Sequence, residues 1–64
     1  MKIAVSWSEL MQQIVDDFRF SPEEIEERSG VSNVTIYNIL RGNTRKPAWR
    51  TIRQLEKGLG IVID

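Results

Sequence analysis

The chain has 64 residues, enough for one small domain that buries only about 60% of the surface its unfolded form exposes. It has no Cys and no His, which removes disulfide staples, thiolate and imidazole metal ligands, and the usual nucleophile and base of an enzyme site. Nine Lys or Arg balance nine Asp or Glu, yet residues 1–30 hold three basic and seven acidic residues (net −4) and residues 31–64 hold six basic and two acidic (net +4). That polarity predicts one face turned to an anionic partner, with ordinary solvated helix faces as the simpler alternative. No apolar run approaches the ~20 residues of a membrane span, and the N-terminus lacks a signal-peptide apolar core. A cytoplasmic protein with no membrane partner is expected, organised as a single domain over 1–64.

Taken in order, Lys2-Ile3-Ala4-Val5 is rich in strand formers, with Ile3 and Val5 on one face, and predicts a short strand over 2–5. Ser6 and Glu9 form a capping box for a helix over 7–19, with Val5 and Leu10 as its staple. Trp7, Leu10, Met11, Ile14 and Phe18 recur at helical spacing as a core stripe, and Asp16 and Asp17 fall at its solvated end. Ser21, Pro22 and Glu24 repeat the box, with proline at the first helical position and Phe20 and Ile25 as the staple. This helix covers 22–29 and stops at Gly30, where a left-handed residue is cheapest as glycine. Ser32 caps a third helix over 33–41, which Gly42 ends. With so little chain between them, the second and third helices cross steeply as a helix-turn-helix. Residues 43–47 are loop by composition. A fourth helix over 48–58 ends at Gly58 or Gly60; its apolar face is Trp49, Ile52, Leu55 and Leu59, with Trp49 in the core. Ile61-Val62-Ile63 reads as a second strand that pairs with 2–5 or with a dimer mate; frayed termini are the alternative. The expected class is mainly α: four helices, with a short strand at each end.

In the third helix Ile36 and Ile39 point inward with Leu40 beside them, which turns Asn33, Val34, Tyr37, Asn38 and Arg41 outward. Asn can pair with adenine through two hydrogen bonds in the major groove, and Val can touch a thymine methyl. On any helix, exposed Asn is otherwise ordinary surface. Arg41, Arg45 and Lys46 crowd the following loop, and Arg50 opens the next helix. Flexible cations and free loop N–H groups suit phosphates and carry no sequence information. Glu23, Glu24, Glu26 and Glu27 suit the second helix by propensity and by its dipole. They have no catalytic partner, and no catalytic residue or metal ligand is expected.

The order Ser21-x-x-Glu24-Ile25 with Gly30-Val31-Ser32, then Thr35-Ile36-x-x-Ile39-x-x-Gly42, resembles the helix-turn-helix of phage repressors and Cro proteins of the lambda-repressor-like class. The likeness continues through Arg45-Lys46-Pro47 and Thr51-Ile52-x-x-Leu55-x-x-x-Leu59-Gly60-Ile61, and covers roughly Ser8 to Ile61 without a gap. It implies a transcriptional regulator that binds double-stranded DNA as a homodimer on a palindrome-like operator. Asn33, Val34, Tyr37 and Asn38 would contact bases. Ser32, Thr35, Arg41, Asn43, Thr44, Arg45, Lys46 and Arg50 would contact the backbone. No cofactor and no small-molecule ligand is implied.

Two positions depart from the pattern. Pro22 replaces the Gln that often touches a phosphate, and Glu26 replaces a small residue at the packing edge, where its stem is expected to lie with the carboxylate in solvent. The resemblance also implies a fifth, dimerising helix where this sequence has Ile61-Val62-Ile63, so a dimer through terminal strands is expected instead. The alternative function is a protein-interaction module, such as an antitoxin-like partner, on the same fold.

Overall fold

The computed structural model describes residues 6–44 and 46–63. It contains α1 (Trp7–Phe18), α2 (Pro22–Ser29), α3 (Asn33–Leu40) and α4 (Trp49–Leu59). Each helix limit falls within one residue of the sequence expectation.

Local caps set several of these limits. The Ser6 and Ser21 hydroxyls accept from the Glu9 and Glu24 N–H groups at 3.1 and 3.3 Å. Each Glu side chain returns the bond to its cap residue's N–H. The Ser32 hydroxyl accepts from Val34 N–H. Gly30 ends α2 at φ 81°, and its N–H donates to the Glu26 carbonyl at 2.7 Å. Arg19 closes α1 in the left-handed region at φ 57°, the sole non-glycine there among the described residues. Nothing in the sequence signalled that stop.

The core comprises Met11 and Ile14 of α1, Ile25 of α2, Val31 of the turn, Ile36 and Ile39 of α3, and Leu55 of α4. Trp7, Leu10, Phe18, Phe20 and Leu40 close over it half-buried. α2 packs on both α3 and α4, and α1 packs on α3. Ser8 of α1 donates to the Leu40 carbonyl at 2.6 Å, satisfying one of the orphan acceptors in the last turn of α3. α3 is thus held by both α1 and α2, and Val34 on its far side is exposed.

Trp49 is not in the core: it is 63% exposed at the first position of α4, with the Arg53 guanidinium 5.0 Å from its ring centroid. Residues 61–63 form no strand. The left-handed Gly60 instead turns the tail back, Ile61 N–H donates to the Glu56 carbonyl, and Ile63 N–H donates to the Glu56 carboxylate at 2.9 Å. Ile61 and Ile63 rest on the core, while Val62 is exposed. The strand expected over 2–5 lies outside the described residues.

Candidate nucleic-acid interface

α3 begins one turn after α2 ends, and Ile36 and Ile39 are fully buried. That buried pair fixes the rotation of the helix. Val34 and Arg41 are exposed, and Asn33, Tyr37 and Asn38 are half-buried on the remaining surface. The backbone continues through Gly42 at φ 80°, and the Asn43 N–H reaches back to the Asn38 carbonyl at 2.9 Å. The loop that follows exposes Asn43 and Lys46, half-buries Thr44 and buries Pro47. Arg50 is exposed in the first turn of α4. Ser32 is exposed and Thr35 half-buried at the start of α3. Arg45 lies outside the described residues.

α2 also reaches this surface. The Asn33 side-chain amide donates to the Glu26 carboxylate at 2.7 Å. The Tyr37 hydroxyl donates to Glu23 at 3.2 and 3.4 Å, and the Arg41 guanidinium sits 5.7 Å from the Tyr37 ring centroid. Glu26 therefore does not simply carry its charge to solvent, as expected from the sequence; its carboxylate finds a donor across the turn. The Tyr37 phenol is held above its ordinary pKa. Desolvation of the phenol contributes most, followed by the hydrogen bond to Glu23 and that carboxylate's charge, and Arg41 opposes them.

From the sequence Glu23 reads as a helix former, and Glu26 as a packing-edge residue with its carboxylate in solvent. The signal that could have found Glu26 was present: a long side chain stands where the resemblance puts a small one, so its head has to meet the start of α3. Glu23 and Tyr37 lie 14 positions apart and left no such sign.

Among the described residues no helix is long and apolar enough to cross a membrane, and no cluster of acidic residues could hold a metal ion. A helix-turn-helix family model matches residues 12–63, from within α1 to the end of the described tail. No curated protein and no solved structure matches the chain significantly. With the match covering all of α2, α3 and α4 and most of α1, the chain belongs to the lambda-repressor- and Cro-like helix-turn-helix family of DNA-binding regulators.

Proposed function

We propose that this chain is a sequence-specific regulator that reads the DNA major groove with α3 and acts as a dimer on a two-fold symmetric operator. The observation that carries this reading is the outer face of α3. It sets a hydrogen-bonding amide and an exposed valine at the helix N-terminus, and it runs directly into a loop and helix start bearing Arg41, Lys46 and Arg50, all exposed. In this docking mode the N-terminal residues of the second helix meet base edges. Asn33, Val34, Tyr37 and Asn38 take that role. Ser32, Thr35, Arg41, Asn43, Thr44, Arg45, Lys46 and Arg50 grip phosphate and set the register. Two copies double the length of sequence read, which a helix of eight residues cannot extend by itself. The terminal-strand route to that dimer loses its C-terminal half with the tail folded back on Glu56.

Protein recognition by the same face is the second reading, favoured by the acidic α2. On α3 itself the exposed large apolar residue is Val34, whereas Arg41, Lys46 and Arg50 are exposed at the end of α3, in the loop and in the first turn of α4. That balance favours DNA.

Binding titrations with Asn38→Ala and Lys46→Ala, on an enriched site and on random duplex at two salt concentrations, test the roles. Asn38→Ala is expected to erode discrimination at one base position by about 1–3 kcal/mol, and Lys46→Ala to weaken both duplexes alike and lower the salt slope by about one. Equal losses on both duplexes for both variants would overturn the assignment.

A further inference from the structure

We infer that Glu26 is a positioning residue that fixes the Asn33 amide so that it accepts adenine and excludes guanine; the inference rests on the DNA-binding reading above. An ionised carboxylate has only acceptors, so the Asn33 group facing it must be the amide nitrogen. The 2.7 Å separation is that of a charge-assisted bond, and both side chains are half-buried. One Nδ2 proton is thereby spent on Glu26. With Glu26 on the proton trans to Oδ1, what Asn33 keeps is its Oδ1 acceptor and its second Nδ2 proton on one edge.

That pair matches one base edge. Adenine offers the N6 amino donor and the N7 acceptor, so Oδ1 can accept from N6 while Nδ2 donates to N7. Guanine offers two acceptors, O6 and N7. The edge that pairs with adenine would set Oδ1 against one of these acceptors, and to meet both with protons the amide would have to withdraw the one it gives Glu26. The half-buried Glu26 carboxylate would then lose its Nδ2 donor, at the cost of a charge-assisted hydrogen bond. A free Asn can turn either way, but Asn33 held by Glu26 cannot. Selectivity at this position is therefore set partly by a residue of α2 that touches no base. Tyr37 repeats the arrangement, its proton directed at Glu23, so the carboxylates of α2 constrain the polar groups of α3 at two places.

The test is selection from a randomised duplex library with the wild type, Asn33→Ala, Glu26→Gln and Glu26→Ala, read by sequencing, with the thermal midpoint of each protein measured alongside. The position whose preference disappears in Asn33→Ala is the base that Asn33 reads. The wild type is expected to enrich adenine over guanine there by roughly tenfold or more. Glu26→Gln is nearly isosteric and can both donate and accept, so the amide is released. Its adenine-to-guanine ratio is expected to fall several-fold, while preferences elsewhere in the site and the thermal midpoint stay close to wild type. Glu26→Ala is expected to do the same. Guanine enrichment by the wild type, an unchanged ratio in Glu26→Gln, or no position altered by Asn33→Ala would each overturn the inference while leaving DNA reading intact. A wild type that enriches no site would overturn the DNA-binding reading and this inference with it.

Discussion

Gly58 of α4 lies against Ser29 of α2 with no room for a side chain. A Cβ at position 58 would stand 2.7 Å from both the Ser29 Cβ and the Arg28 carbonyl oxygen, and would overlap the Ser29 Cα. This contact brings α4 onto the C-terminal end of α2 and so braces the helix pair that presents α3. Two of the three obstacles are backbone, which cannot swing aside.

Gly58→Ala therefore sets two effects against each other. In an open helix the change stabilises by about 1 kcal/mol through propensity. Here overpacking costs about 1–3 kcal/mol, and the relief is a shift of α4. The expected outcome is a net loss, a fall in thermal midpoint of several degrees for a chain this size. Gly42 is the control: space around its missing Cβ is open, but its φ of 80° penalises any side chain. A rise in midpoint for Gly58→Ala would show that the α2–α4 approach is looser than described.

Ser8→Ala removes the donor to the Leu40 carbonyl and leaves an acceptor in the last turn of α3 without its protein partner. A loss of about 0.5–1.5 kcal/mol in urea unfolding is expected. Hydrogen exchange should quicken at the C-terminal end of α3 more than in α2. Uniform acceleration along the chain would mean that Ser8 supports the whole fold and not this helix end.

Tyr37 is the one tyrosine of the chain, so phenolate absorbance reports it alone. Its midpoint is expected above the ordinary value of about 10, because desolvation and Glu23 both favour the neutral phenol and outweigh Arg41. Glu23→Gln should bring it down part of the way. The sign for stability follows: the folded pKa is raised, so the contribution is complete below the unfolded value and is lost as pH rises through the folded one. The loss therefore lies in the alkaline range, and Tyr37→Phe should flatten stability there. A midpoint at or below that of a free tyrosine would contradict the Glu23 contact.

The starts of α1 and α2 and the end of α2 were legible because they are written locally. Ser6 with Glu9, Ser21 with Glu24, and Gly30 each act within one turn, so spacing alone reveals them. Trp49 was misplaced for the opposite reason. Periodicity tells which face a residue shares with Ile52 and Leu55, but not where along the helix the opposing surface ends. At the first position of α4 the indole stays largely exposed, with the Arg53 guanidinium, one turn on, over its ring. The tail was misjudged similarly: Ile61 and Ile63 look like strand, yet their fate is decided by Gly60 and by the Glu56 side chain. For the interface, the outward face of α3 followed from Ile36 and Ile39. The hold of Glu26 on Asn33 and of Glu23 on Tyr37 did not, since both cross between helices whose relative placement is a tertiary property.

We propose above that α3 reads DNA sequence as part of a symmetric pair. Selection of bound duplexes from a randomised library by the wild-type chain, at about 0.1 M salt where nonspecific phosphate binding is partly suppressed, addresses it most directly. Enrichment of a two-fold symmetric site with half-sites about one helical turn apart is expected. Failure to enrich any sequence above the input library would contradict it.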